Sequence, residues 1–333
     1  MTLAKKKNIT KIIIKYIFTF AISMLLTITV LSRQYIFDQI VVYRFSPSPE
    51  VASLIKQAGV NDYGNFLFLA SKPIIESTQD FNGDCARTEN ISSILGCYNN
   101  GKIYIYNVND PQLNGVKEVT AVHEVLHAAY VRLGFFEKEK INKLLDTEYK
   151  KLESQKELVD RMAFYEKIEP GQRYNELHSV IGTEIAEISP ELEEYYSRYF
   201  NDRQKVVTLN KNYLNVFKKY DDRRLELEVQ LGSLNSDIAS RKSKYEEDVL
   251  AINSDITRFN EKANSDGFMT MLQFNSERNL LSGRIDSLEV TRTGITRDIE
   301  LYNSLYSEYD SNISQLKKLY NSIDSTLAPA PSI

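Results

Sequence analysis

This chain of 333 residues contains few histidines and cysteines, and its basic residues do not outnumber its acidic ones. The only two cysteines, Cys85 and Cys97, do not have the spacing of a zinc knuckle, which excludes a cysteine-based zinc site of that kind. Acidic residues outnumber basic ones by 45 to 41, and five of the basic residues lie within the first 15 positions. This charge balance gives no reason to expect nucleic acid as a partner.

Charge is also absent from a long run close to the amino terminus. Five lysines precede the uncharged stretch from Tyr16 to Leu31, which is long enough to span a bilayer at roughly 20 residues if Lys15 reaches towards the headgroups. No small-x-small cleavage site follows, so the pattern predicts an uncleaved transmembrane signal anchor over residues 1–33. The lysines place the amino terminus in the cytoplasm, which predicts a single-pass protein of the cytoplasmic membrane with the rest of the chain outside.

Proline is missing from Glu191 to Ala328, and apolar residues recur there with the three-four spacing of a coiled-coil seam. The seam residues include Leu227, Leu231, Leu234 and Ile238, followed by Val249, Ile252, Ile256 and Phe259. A turn at Asn264–Gly267 then predicts an antiparallel helical hairpin. Packing of one arm on the other explains most of the stripe. The hairpin is predicted to serve either as a spacer or docking arm that reaches other envelope components or as a surface for self-association.

Two of the three histidines lie in one short segment, which is predicted to be helical from about Val116 to Leu133. His123 and His127 are four residues apart, so both rings fall on one face of the helix and can reach one ion. Glu124 lies about 100° further round, where its carboxylate can hydrogen-bond a water bound to that ion. The alternative is an ordinary helix with one surface histidine and one core histidine.

Strand signals surround this helix on its amino-terminal side. The apolar run Asn65–Ala70 is predicted to be a buried strand, and Asn100-Gly101 is a two-residue hairpin turn. After that turn, Ile103 and Ile105 alternate with Tyr104 and Tyr106, which predicts a strand over Lys102–Val108. Cys85 and Cys97 can form a disulfide across a short loop if this part of the chain is exported, with two reduced core thiols as the alternative.

The segment His123-Glu-Val-Leu-His127 is the zincin signature, and Asn175-Glu176-Leu-His-Ser179 resembles the second motif of the gluzincin branch of zinc metallopeptidases. The resemblance implies that His123, His127 and Glu176 bind one Zn²⁺ ion and that Glu124 is the general base. It also implies a small zincin-like catalytic domain, with a short sheet beside the active-site helices. In zincins an edge strand pairs with the extended substrate, and Ile103, Tyr104, Ile105 and Tyr106 are the candidates for that strand. The alternative is a hairpin with a purely structural role.

Two other residues compete with Glu176 for the position of third ligand. Glu184 lies on an apolar stripe of the same predicted helix, where an acidic side chain needs a cation or a hydrogen-bonding partner. His178 would complete a site of three histidines. Whichever residues do not bind the metal are expected to orient a ligand. Tyr174 and Tyr130 are considered as phenol donors to the transition state.

The predicted fold class is therefore α+β, with five consecutive parts. These are a basic tail and transmembrane helix (1–33), a juxtamembrane linker (34–49), the metallopeptidase domain (50–201), the coiled-coil hairpin (202–326) and a disordered tail (327–333). The predicted function is zinc-dependent hydrolysis of peptide bonds in a peptide or protein substrate, outside the cytoplasmic membrane. Two alternatives stay open: a non-catalytic, membrane-tethered scaffold with a zinc-binding domain, and a zinc amidase that acts on peptidoglycan.

Overall fold

The computed structural model describes residues 15–24, 32–85, 94–168, 170–265, 267–268 and 270–326. The chain divides into two compact units. The first unit extends to Asn215 and includes the chain again from Asn321, whereas the second consists of Val216–Tyr320. The predicted disordered tail, residues 327–333, lies outside the described residues.

Most of the described secondary-structure elements are helices. They are α1 (residues 15–24), α2 (Arg33–Arg44), α3 (Pro49–Gln57), α4 (Asp62–Ala70), α5 (Thr78–Asp84), α6 (Val116–Arg132), α7 (Phe135–Lys151), α8 (Lys156–Ile168), α9 (Arg173–Glu184), α10 (Pro190–Tyr196), α11 (Gln204–Asn264) and α12 (Met271–Ile323). The strands are β1 (Ile74–Glu76), β2 (Gly96–Asn99) and β3 (Lys102–Tyr106).

The prediction of an α+β fold is wrong, because 78% of the described residues are helical and the sheet has only three strands. One reason is that Asn65–Ala70, predicted to be a strand, belongs to helix α4. The Asn61 side chain caps this helix by accepting a hydrogen bond from the Gly64 amide at 2.9 Å. This cap decides between helix and strand for a short apolar run whose own periodicity fits both.

The prediction of an amino-terminal transmembrane helix, and with it the location in the cytoplasmic membrane, is corrected by the structure. Within the described ranges, no helix has both the length and the apolar character needed to cross a bilayer. Of the predicted segment 1–33, the structure describes residues 15–24, which belong to α1, and residues 32–33. Residues 25–31 of that prediction lie outside the described residues.

The sheet has the strand order β1-β3-β2. Strand β1 runs parallel to β3, with Ile74 opposite Tyr104, and β2 pairs antiparallel with β3 across the Asn100-Gly101 turn. Because β3 is the central strand, its backbone is hydrogen-bonded on both sides. The prediction that Ile103–Tyr106 pairs with a substrate is therefore corrected, since β3 has no free edge.

Helix α6 lies at the centre of the first unit. Its apolar residues pack against α3, α4, α9 and the sheet, and Val122, Val125 and Leu126 are almost completely buried. At the other face of the sheet, Phe81 and Tyr104 form a small core with Cys85. A disulfide between Cys85 and Cys97 joins the end of α5 to β2, with the two Cα atoms 6.0 Å apart.

The predicted helical hairpin is confirmed in the second unit, where parts of α11 and α12 form its arms. Leu227 and Leu231 are buried along the seam, as predicted from their spacing. Arg241 also lies along the seam, where it forms an ion pair with Asp298 on the opposite arm. At the turn, the rings of Phe259, Phe268 and Phe274 pack together with centroids between 5.2 and 5.4 Å apart.

Candidate metal centre

Helices α6 and α9 bring together the side chains of the centre. On α6, the rings of His123 and His127 lie on one face with their centroids 4.7 Å apart. Helix α9 approaches closely at Gly182, where an added Cβ would overlap Leu126 of α6 and lie 2.9 Å from Tyr196 Cε1. Glycine thus permits the short distance between the two helices.

Glu176 extends from α9 towards both histidines. Its Oε1 is 3.5 Å from His127 Nε2, and its Oε2 is 3.8 Å from His123 Nε2. The three potential ligand atoms all lie within 4.8 Å of one another. Ligands placed 2.0–2.2 Å from a tetrahedral ion are about 3.3–3.6 Å apart, so these distances need only small side-chain adjustments to hold one ion.

Two buried atoms at this site lack a hydrogen-bond partner in the described part of the chain: Glu176 Oε2 and His127 Nδ1. A buried carboxylate oxygen in that position is costly unless a cation or a proton compensates it. Burial raises the pKa of Glu176, but the neighbouring His127 and His123 outweigh this effect and lower the pKa below its usual value. His123, His127 and Glu176 could therefore hold a metal ion, and two imidazoles with one carboxylate suit a borderline transition metal.

Both of the competing third ligands have other partners. Glu184 accepts two hydrogen bonds from Arg161 of α8, at 3.1 and 2.7 Å, which satisfies the acidic side chain on its apolar stripe. His178 is completely buried, and its Nε2 lies 2.9 Å from Tyr195 Oη. Burial lowers the pKa of His178 to about 3, which keeps the ring neutral. Neither residue belongs to the group that could hold the ion.

Glu124 is buried on α6 beside the histidines, with 4% of its surface exposed. Burial raises its pKa to about 7, although the nearby His127 lowers it, and the Glu176 carboxylate contributes to the increase. A carboxyl group with this pKa can accept and release a proton near neutral pH. The position of Glu124 next to two potential ligands therefore suits a general base.

The predicted phenol donors are hydrogen-bonded to residues outside the centre. Tyr174 donates to Asp146 Oδ2 at 2.7 Å, and Tyr130 donates to Asn142 Oδ1 at 2.9 Å. A different tyrosine, Tyr165 of α8, is close enough to interact electrostatically with the carboxylates of both Glu176 and Glu124. Burial raises the pKa of Tyr165, and these two carboxylates raise it further, so the phenol keeps its proton. Nothing in the sequence distinguishes Tyr165 from the other 20 tyrosines.

A second feature that the sequence does not reveal is the edge strand β2. A Cβ added at Gly96 would lie 2.8 Å from Glu124 Oε1, so this strand runs directly beside the carboxylate. In the register with β3, Asn99 and Cys97 face β3 with their backbone groups, whereas Gly96 and Tyr98 direct theirs to the outer edge. Strand β2 is thus one of the two edge strands of the described sheet, and it lies next to Glu124.

Comparisons of the chain with models of protein families, with curated proteins and with solved structures found no match.

Proposed function

We propose that this protein is a zinc-dependent metallopeptidase of the gluzincin type. The observation that carries the proposal is the convergence of His123, His127 and Glu176 on one point, with the buried carboxyl group of Glu124 beside them. Two imidazoles and one carboxylate from the protein leave one position open for water, which is the arrangement of catalytic rather than structural zinc sites.

When bound, zinc would lower the pKa of a coordinated water towards 7 and polarise the carbonyl group of the substrate. Glu124 acts as the general base and accepts the proton of the attacking water on its carboxylate. It then delivers this proton to the leaving amine. Burial of Glu124 raises the pKa of its carboxyl group, which favours holding the proton between the two transfers.

Two further groups of this chain complete the proposed mechanism. The substrate lies as an extended strand along the outer edge of β2, where the backbone groups of Gly96 and Tyr98 hold it beside Glu124. The Tyr165 phenol, which stays protonated and interacts electrostatically with Glu176 and Glu124, is the candidate donor to the oxygen on which negative charge develops. The proximity of an edge strand to Glu124 is the reason for proposing a peptide substrate.

Zinc content and peptide hydrolysis, measured on the same preparations, test the proposal. We expect one zinc ion per chain and cleavage of peptides from an unbiased library by the wild-type protein. Glu124→Gln should keep the zinc and lose about 10²- to 10⁴-fold in turnover, which is the usual contribution of a general base. Glu118→Gln is the matched control, since Glu118 is a buried glutamate on the same helix but outside the metal-binding group.

The outcomes separate the candidate functions. Zinc-loaded protein that cleaves no peptide, protein or peptidoglycan fragment refutes the enzymatic proposal and leaves a zinc-binding scaffold. If cleavage is restricted to peptidoglycan fragments, the proposed function changes from a peptidase to an amidase that acts on the cell wall. Equal activity of the wild-type protein and Glu124→Gln refutes the role of the general base.

A further inference from the structure

The segment that follows α12 is bound to the first unit through Ser325. Helix α12 ends at Ile323, and the chain from Asn321 onwards belongs to the first unit, where Ser325 is completely buried. The Ser325 hydroxyl donates to the backbone oxygen of Ile94 at 2.7 Å, and the Ser325 backbone oxygen accepts a hydrogen bond from Asn82 Nδ2 at 3.0 Å. These partners are 231 and 243 residues away in the sequence, so both contacts are tertiary.

Ile94, the acceptor of the Ser325 hydroxyl, directly precedes the part of the chain that pairs with β3. The Tyr106 amide of β3 donates to the backbone oxygen of Leu95 at 2.8 Å, so the pairing begins one residue after Ile94. Carbonyl groups of successive residues in an extended strand point in opposite directions, and the oxygen of Ile94 therefore points away from β3. Ser325 thus binds the outer side of the strand, and the edge left for a bound peptide begins at Gly96.

The same end of β2 lies against Glu124. A Cβ added at Gly96 would lie 2.8 Å from Glu124 Oε1 and 2.5 Å from Thr120 Cγ2, so the backbone of the strand touches α6 here. The Ile94 oxygen that Ser325 binds is only two residues before Gly96 in the sequence. Any displacement of the start of β2 therefore changes the distance between its outer edge and the Glu124 carboxylate.

Helix α5 and the residue after it hold the remainder of β2. Cys97 is joined to Cys85 by the disulfide, and Asn99 Nδ2 donates to the backbone oxygen of Asp84 at 2.9 Å. These two attachments fix the middle and the end of the strand, whereas the Ser325 hydroxyl fixes its start. Loss of that hydroxyl should therefore loosen only the start of β2 and leave the sheet folded.

We propose that Ser325 is a positioning residue of the active site, whose hydroxyl fixes the start of β2 so that the outer edge holds a peptide beside Glu124. This inference rests on the proposed peptidase function, because it gives β2 the role of the edge that binds the substrate. Ser325 takes no part in the chemical step. Its loss should weaken substrate binding and change the turnover number little, since Glu124 and the metal-binding residues stay in place.

Hydrogen exchange on the full-length chain tests the contact without any measurement of activity. In Ser325→Ala the amide of Tyr106, whose acceptor is the oxygen of Leu95, should exchange at least about tenfold faster than in the wild type. The amide of Ile103, which donates to the oxygen of Ser71 at 2.9 Å, should be unchanged. An unchanged rate at Tyr106 overturns the proposal, and so does equal acceleration at both amides, which would indicate a general loss of stability.

Steady-state kinetics of the zinc-loaded chain, with a peptide that the wild type cleaves, test the consequence for the substrate. Loss of one hydrogen bond changes an equilibrium constant about three- to tenfold, so Ser325→Ala should raise KM by this factor and keep kcat within about twofold. Ser71→Ala is the matched control, because Ser71 is also completely buried and its hydroxyl donates to the backbone oxygen of Leu67 at 2.8 Å. This control should change neither KM nor the exchange rate at Tyr106.

The two measurements separate this proposal from the proposed function. Faster exchange at Tyr106 with an unchanged KM makes Ser325 a purely structural residue and overturns the proposal. A wild-type protein that cleaves no peptide refutes the peptidase function and, with it, the role of β2 as the substrate edge. Faster exchange at Tyr106 in Ser325→Ala would then still show that Ser325 holds the strand.

Discussion

Replacement of Glu176 by glutamine is the most informative perturbation of the metal centre. The substitution keeps the size and shape of the side chain but removes the charge and one of the two acceptor oxygens, which lie 3.5 and 3.8 Å from the histidine nitrogens. Four-ligand zinc sites contribute about 10–16 kcal/mol of binding free energy, or about 2.5–4 kcal/mol per ligand if the ligands share it equally. We therefore expect zinc affinity to fall about 10²- to 10³-fold.

Competition with a chromophoric zinc chelator at neutral pH measures this affinity directly. The matched control is Glu184→Gln, which introduces the same chemical change on the same helix. Glu184 accepts its hydrogen bonds from Arg161, so this control should reduce the free energy of unfolding by about 1 kcal/mol and leave zinc affinity within a factor of about three. Circular dichroism of each variant shows whether it is folded.

The reasoning is refuted if Glu184→Gln weakens zinc binding as much as Glu176→Gln does. Unchanged zinc affinity in a folded Glu176→Gln variant would refute it as well, because the two histidines would then bind the ion without this carboxylate. A third variant, His178→Gln, should leave zinc affinity unchanged, since the imidazole of His178 is hydrogen-bonded to Tyr195.

Three further predictions concern the fold around the metal centre and the sheet. Gly182→Ala should destabilise the fold by about 1–3 kcal/mol and weaken zinc binding, because the added methyl group overlaps Leu126; urea unfolding and the chelator assay measure both effects. Replacement of Cys85 and Cys97 by serine should lower the free energy of unfolding by about 3 kcal/mol, as measured in urea, since the disulfide closes a short loop. Burial raises the pKa of Glu76 from 4.5 to about 7, so the folded chain holds a proton that the unfolded chain releases. The free energy of unfolding should therefore fall between pH 4.5 and 7 in the wild type but not in Glu76→Gln, as measured by urea unfolding at a series of pH values.

Long periodic segments were predictable because the same spacing repeats over many turns. The arms of the hairpin and helix α6 belong to this group, and the turn at Asn100-Gly101 was clear from its own residues. The predicted strand over Asn65–Ala70 failed because its apolar run is short and the deciding signal, the cap by Asn61, lies outside it. The position of β3 in the middle of the sheet failed for a different reason. It depends on the parallel pairing with β1, which lies almost 30 residues away in the chain.

The sequence alone could not decide which residue is the third candidate ligand of the metal centre. Glu176 and Glu184 are eight residues apart, so helix geometry separates them by about 80° in angle and about 12 Å along the axis, and one ion cannot bind both. Geometry within α9 cannot choose between them, however, because each lies close to apolar residues and each is a chemically suitable ligand. The choice is made by Arg161, a residue of α8 whose guanidinium pairs with Glu184 and leaves Glu176 without a hydrogen-bond partner at Oε2. A cation supplied by the protein satisfies one carboxylate, and the other is left for the metal. Replacement of Arg161 by leucine should therefore leave Glu184 without its partner and destabilise the fold, while His123, His127 and Glu176 still bind zinc.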